Sequence, residues 1–213
     1  MLELGTNSIS TILCIGAHAD DIEIGCGGTL LKLLAEYPGI EVTWLVLSAG
    51  GSREKETRDA SDRFLKQAGK RQLNVFEFPD AFLFEHRADV KRVFGELRRE
   101  LSPDLVFTHG MSDRHQDHAL AAELTWNTFR DHLILEYEIP KYEGDLTTPN
   151  MYVPLSREHC DEKCRILSDC FVSQASKPWF SPETFKGLLR IRGIECNAPE
   201  GYAEALHVRK QVV

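Results

Sequence analysis

Apolar positions along this chain fall into short β-branched runs separated by stretches in which they recur at helical spacing. Residues 10–16 (STILCIG) form a compact apolar run ending in glycine, the pattern of a buried strand. After a polar segment, Gly27, Gly28 and Thr29 are expected to open a helix carrying Leu30, Leu31, Leu33 and Leu34, which Pro38 and Gly39 end. Residues 41–47 (EVTWLVL) read as a second strand and residues 48–52 (SAGGS) as a small-residue loop. Charged residues over 53–70 mark an exposed helix with apolar contacts near Phe64, Leu65 and Ala68, and Gly69 is placed at its C-terminal end. Residues 73–78 give a third strand. Val90, Val93, Phe94 and Leu97 give 88–101 a helical stripe, residues 104–108 form a fourth strand, and a helix is expected from about 115 to 131.

Strands alternating with helices imply an α/β fold, Rossmann-like, with a largely parallel sheet covered by helices on both faces. Beyond residue 133 the alternation loosens. Residues 133–139 and 151–155 read as strands around a loop at 140–150, followed by a helix from Ser156, another near 182–192 and a last strand at 203–208. With no internal repeat or linker, residues 1–213 are expected to form a single domain, with the irregular portion from about 133 to 213 shaping a substrate site.

Composition narrows the class. Apolar residues make up 42% and charged residues 27%, as in a soluble globular protein. A net charge of −8 argues against general nucleic-acid binding, which needs a positive surface to neutralise phosphates. No apolar run is long enough to cross a bilayer, and residues 1–7 lack a basic segment followed by an apolar one, so the expectation is a cytoplasmic protein without a transmembrane segment. The six cysteines then read as reduced thiols. His159, Cys160 and Cys164 look briefly like metal ligands, but they fall within an expected helix and no second pair with zinc-finger spacing follows.

Two segments concentrate chemistry: residues 16–23 (GAHADDIE) and 108–118 (THGMSDRHQDH). Each begins where an expected core strand ends, and in open α/β sheets ligands bind at the carboxyl ends of strands. His18, His109, His115 and His118 with Asp20, Asp21, Asp104, Asp113 and Asp117 therefore suggest one crevice suited to a divalent metal, since imidazoles and a carboxylate are zinc ligands and a catalytic site keeps a position open for water. His115 and His118, three residues apart near a helix start, can face the same side. Taken singly, Asp20 and Asp113 are as readily helix caps.

At these residues the chain resembles the PIG-L/LmbE-like de-N-acetylase family. The quoted motifs are Ala17-His18-Ala19-Asp20-Asp21-Ile22-Glu23, then Gly27-Gly28, then His115-Gln116-Asp117-His118; the resemblance runs to about residue 130 and reappears at Gly201-Tyr202-Ala203-Glu204-Ala205. Ala19 stands where the family usually has proline. The resemblance implies one divalent metal, zinc before others, held by His18, Asp21 and His118. It implies Asp20 as the base acting on water, His115 as oxyanion stabiliser or proton donor to the leaving amine, and Asp117 as the residue orienting His115. Arg53 and Arg58 both occupy the position of a substrate-holding arginine, and Glu23 is read as a cap or as support for a ligand. The implied activity is removal of an N-acetyl group from a small amino sugar or glycoconjugate. The competing readings are hydrolysis of another small N-acyl amide, a two-metal phosphoesterase, or a non-catalytic sugar-binding protein on the same scaffold; a homo-oligomer is compatible with each. Tyr137, Tyr142, Tyr152, Trp179 and Tyr202 are more often core than sugar platforms.

Overall fold

A computed structural model describes residues 9–212, so the amino-terminal residues on which the absence of a leader-like segment was judged lie outside the described residues. Seven strands form one sheet: β1 (Thr11–His18), β2 (Glu41–Ser48), β3 (Lys70–Val75), β4 (Leu105–His109), β5 (Leu133–Tyr137), β6 (Met151–Leu155) and β7 (Tyr202–Val208). Their spatial order is β3-β2-β1-β4-β5-β7-β6. The first five strands are mutually parallel, while β7 runs antiparallel to both β5 and β6. The helices are α1 (Asp21–Glu36), α2 (Ser52–Phe64), α3 (Arg87–Glu100), α4 (Gln116–Thr128), α5 (Arg157–Cys170) and α6 (Pro182–Glu195). Among the described residues, no helix is long and apolar enough to cross a membrane.

The two-residue repeat of the strands builds two cores. Ile12, Cys14, Val42, Trp44, Val46, Leu105 and Phe107 point to one face, where α1, α2 and α5 bring Leu30, Leu34, Phe64, Ile166 and Leu167. Leu13, Ile15, Leu45, Leu47 and Val106 point to the other, under Val90, Phe94, Leu120 and Leu124 of α3 and α4. From β1 the chain winds outward through β2 to β3, then returns to place β4 on the other side of β1. The carboxyl ends of β1 and β4 thus flank the point where the winding reverses, the position at which open α/β sheets bind ligands.

Three element boundaries differ from the sequence expectation, each for a physical reason. Helix α1 begins at Asp21, six residues before the glycine pair. Its glycines allow close packing in mid-helix: a Cβ on Gly25 would lie 2.2 Å from the Tyr137 ring, on Gly27 2.6 Å from Phe64, and on Gly28 2.5 Å from Leu155. Strand β3 starts at Lys70, earlier than the apolar pattern indicated, because it is an edge strand whose first residues are polar and exposed. Helix α2 stops at Phe64, and Gly69 serves the entry to β3 instead, where its N–H donates to the Ile40 carbonyl and a Cβ would strike the backbone of Gly39.

The last segment completes the sheet. Pro154 lies on edge strand β6, where its missing N–H is tolerated. From β7, the buried Glu204 accepts the N–H groups of Gly28 (2.7 Å) and Thr29 (2.6 Å) in the middle of α1. Lys163 on α5 donates to Glu204 (2.6 Å) and to the Ile24 carbonyl (2.5 Å). The buried ion pair therefore ties α5 and β7 to the helix whose first turn carries the chemistry. The six cysteines are free and buried, and Cys160 and Cys164 sit side by side on α5 within the packing of the domain.

Gly25→Ala tests this packing. The added methyl must displace a fully packed tyrosine, so chemical denaturation should show a loss of about 1–3 kcal/mol, the usual range for overpacking. A midpoint at or above that of the wild type would contradict the contact.

Candidate metal centre and active site

His18 ends β1, and Asp20 and Asp21 lead directly into α1. From the other side of the switch point, β4 ends at His109 and a short loop carries Asp113 to His115, the N-cap residue of α4, followed by Asp117 and His118 in its first turn. The fold brings these two segments together. His18 Nδ1 lies 3.2 Å from His118 Nε2 and 3.4 Å from Asp21 Oδ2, while His118 Nε2 lies 3.4 Å from Asp21 Oδ1.

The opposite nitrogen of each imidazole is held by a carboxylate. His18 Nε2 faces Asp117 Oδ2 and Asp80 Oδ1, both at 3.1 Å, and His118 Nδ1 faces Asp113 Oδ2 at 3.0 Å. An ionised carboxylate can only accept, so these outer nitrogens donate and the inner ones present lone pairs to each other and to Asp21. Two imidazole lone pairs and the Asp21 carboxylate at such distances repel unless a cation or a proton lies among them. A tetrahedral zinc with bonds of about 2.0–2.1 Å requires ligand atoms about 3.3–3.4 Å apart, which the two imidazole nitrogens approach at 3.2 Å, and Asp21 offers a different oxygen to each of them. Carboxylates behind the histidines are the partners that metal-ligating imidazoles normally have.

The electrostatics agree. Burial lowers the pKa of His18, but hydrogen bonds to Asp117, Asp21 and Asp80 outweigh it and raise the pKa well above the usual imidazole value. Burial raises the pKa of Asp21, yet His118 and His109 hold it well below the carboxylate range. Asp113 is likewise held low despite burial, by His118 and by Lys141. Hydrogen bonding to His18 brings Asp80 down to about 2. His118 and His115 are both lowered, first by burial and then by neighbouring imidazoles.

Around the triad stand three further groups. Asp20 is 5% exposed; its Oδ1 accepts from Arg53 Nη2 at 2.9 Å, while its Oδ2 is buried without a partner. Burial raises its pKa, which Arg53 partly offsets. His115 packs its ring 4.5 Å from His118 and 4.9 Å from His18, and its Nδ1 accepts the Asp117 N–H at 3.3 Å. When neutral it therefore carries its hydrogen on Nε2. His109 is stacked on His118 at 3.9 Å between centroids, and its Nε2 meets both the Ala17 N–H at 3.0 Å and Asp21 Oδ2 at 3.1 Å.

The family model described as PIG-L: GlcNAc-PI de-N-acetylase matches residues 13–129, more than half of the chain. The chain belongs to this family. It is 32% identical over 147 residues to the uncharacterized deacetylase YaiS of Escherichia coli (strain K12), covering 63% of this chain and 76% of YaiS. It is 29% identical over 134 residues to the diacetylchitobiose deacetylase of Thermococcus kodakarensis, covering 55% of this chain and 48% of that protein. Its fold matches GalB, the 4-carboxy-2-hydroxymuconate hydratase of Pseudomonas putida KT2440, with a TM-score of 0.77 at 17% identity over 96% of this chain and 98% of the other.

Within this PIG-L-family site, His18, Asp20, Asp21, His115, Asp117, His118 and Arg53 converge. Arg58 does not: it pairs with Glu54 on the exposed face of α2, because it lies more than one helical turn beyond Arg53. Asp104 also lies elsewhere, before the start of β4, where it accepts the N–H groups of Ser10 and Thr11 at the opposite end of the strands. The Asp117 carboxylate does not orient His115. It is taken by His18 and by the N–H groups of Ala81 and Leu83, and only the Asp117 backbone touches His115. Glu23 neither caps α1 nor supports a ligand: both of its oxygens are buried without partners, and burial pushes its pKa well up. Sequence reasoning missed Asp80 and Lys141 and left Asp113 between the cluster and a helix cap. Asp113 does accept the His115 N–H, but its second oxygen serves His118. Tyr137 is core, its hydroxyl donating to the Ile15 carbonyl, whereas Tyr142 is 75% exposed.

His118→Ala and His115→Ala separate the two histidines. Elemental analysis after zinc loading and desalting should find His118→Ala depleted, because a donor of the triad is gone, and His115→Ala close to the wild type. Equal depletion in both would make His115 a ligand, which its proximity to His18 and His118 permits.

Proposed function

We propose that this protein is a hydrolase that removes an N-acetyl group from an amino sugar or a sugar-containing conjugate, with one divalent cation, zinc in the first instance, held by His18, Asp21 and His118. The observation that carries this reading is that His18 Nδ1 and His118 Nε2 face each other at 3.2 Å, each with an Asp21 oxygen at 3.4 Å (Oδ2 for His18, Oδ1 for His118), while carboxylates hold both outer nitrogens. A cation held there supplies Lewis acidity, which makes water a nucleophile at neutral pH and polarises an acyl oxygen.

The chain's own residues supply the rest. Asp20 offers a buried, unpartnered Oδ2 that can take a proton from water, and the Arg53 contact to Oδ1 keeps the carboxylate turned and ionised. His115 meets the other requirement of amide cleavage, a proton for nitrogen: beside His18 and His118, its imidazolium can give a proton to the leaving amine and return to the neutral ring. Asp117 positions His18. Water's hydroxyl joins the acyl carbon and the carbon–nitrogen bond breaks, giving acetate and a free amine. Membership of a deacetylase family and similarity to a chitobiose deacetylase favour a sugar as the amine component. The fold alone does not choose the reaction, since a hydratase shares it.

A mass-spectrometric screen of N-acetylated sugars and glycoconjugates with zinc-loaded protein tests the reading, and loss of one acetyl group is the expected signal. Turnover confined to other small amides would shift the substrate class, and no turnover on either panel would favour a binding protein. On a substrate found in this way, full activity in protein shown to be free of metal would reject the metal centre.

Neighbouring aspartates provide the sharper test of mechanism. Asp20→Asn should keep zinc and fold while losing about 10²- to 10⁴-fold in turnover, the usual contribution of a general base. Asp21→Asn should instead bind zinc weakly. Near-wild-type turnover in Asp20→Asn would remove Asp20 from the mechanism.

A further inference from the structure

Behind His118 lies a buried chain of charges that extends into the loop after β5. Asp113 uses both oxygens: Oδ1 accepts the His115 N–H at 2.8 Å, and Oδ2 meets both His118 Nδ1 and Lys141 Nζ at 3.0 Å. Lys141 also donates to Asp145 Oδ1 at 2.6 Å and reaches the Ile139 carbonyl at 3.4 Å. Asp145 turns its other oxygen to the Arg114 N–H at 2.7 Å. The side chains of Asp113, Lys141 and Asp145 are only 5%, 9% and 5% exposed. One ammonium thus joins two buried carboxylates, and each carboxylate grips the backbone of the turn that delivers His115 and His118.

We propose that Lys141 is a positioning residue for the metal centre, locking the Asp113 carboxylate so that His118 presents Nε2 to the cation. This rests on the reading of His118 as a metal ligand. The Asp113 oxygen that receives the His118 proton is the one Lys141 holds. Without the ammonium, the Asp113 carboxylate keeps only the His115 N–H and His118 itself as partners among the described residues, and Asp113 and Asp145 repel across the gap. His118 would then lose both its fixed tautomer and its ring orientation, the two properties an outer carboxylate gives a metal-bound imidazole. Lys141 touches neither donor atom of the triad nor the crevice residues Asp20 and His115, so its influence passes through Asp113.

The test is a double-mutant cycle on zinc affinity, measured in the full chain by competition with a chromophoric chelator. Loss of an outer partner typically weakens metal binding about 10- to 100-fold. Lys141→Met should fall by about tenfold, toward the lower end of that range, and Lys141→Arg should recover most of the loss. In an Asp113→Asn background, Lys141→Met should change affinity by less than about twofold, because the path is already cut. A merely structural lysine would lower affinity equally in both backgrounds, and that result would overturn the proposal, as would a Lys141→Met protein that binds zinc like the wild type. If circular dichroism shows Lys141→Met to be unfolded, Lys141→Gln, which retains polarity but not charge, enters the same cycle with the same expectations. Wild-type protein that takes up no stoichiometric zinc would overturn the metal centre itself, a failure distinct from that of the lysine.

Discussion

Two imidazole lone pairs aimed at one point, with a carboxylate beside them, are unstable in a buried site, and much of the surrounding structure exists to hold them there. His18 and His118 are brought within 3.2 Å at their inner nitrogens. Neither ring can turn to relieve the repulsion, because Asp117 and Asp80 hold the outer nitrogen of one and Asp113 that of the other. The Asp117 carboxylate is itself anchored by the N–H groups of Ala81 and Leu83. On the proposed reading, a cation among these atoms would relieve on binding the unfavourable contacts that folding builds.

The sheet order makes this geometry affordable. Because β1 and β4 are adjacent and parallel, side chains at their carboxyl ends come from segments about a hundred residues apart without any long excursion of the chain. Helix α1 must start immediately after β1 to hold Asp21 against His18, and it must pack tightly under Tyr137, Phe64 and Leu155, which explains glycines in mid-helix at a cost in helical propensity. The Lys163–Glu204 pair then engages backbone groups of that same helix from α5 and β7. Long-range packing thereby compensates for weak local preference.

Legibility from sequence followed the range of each interaction. The alternation of apolar runs was enough for an α/β, largely parallel sheet, and the two short motifs were enough to bring His18, Asp21 and His118 to one strand-end crevice. What failed was the inference of partners. The family resemblance implied that Asp117 orients His115; in space its carboxylate reaches His18, 99 residues away. Asp113 reads as a helix cap because caps are local and common, yet its second oxygen makes a contact that no spacing rule signals. Asp104 was grouped with the cluster by counting residues near a strand, which ignores the five-residue length of β4 that carries it to the opposite end. Arg53 and Arg58 could not be ranked without knowing which face of α2 meets Asp20, and one contact distinguishes them.

The fold constrains function less than the site does. A hydratase and deacetylase relatives share this architecture, so the sheet and its crevice are compatible with more than one reaction of water. Discrimination must come from the side chains at the crevice, and here two features point the same way. A carboxylate oxygen of Asp20 lies buried without a partner beside the donor triad, which is unfavourable in a resting protein and useful only if a proton or a water is to meet it. On the other side, burial and two neighbouring imidazoles lower the pKa of His115, which makes its imidazolium a readier proton donor to a more basic amine. An acceptor and a donor on either side of a cation site match the two proton transfers that amide hydrolysis needs, one from water and one to nitrogen.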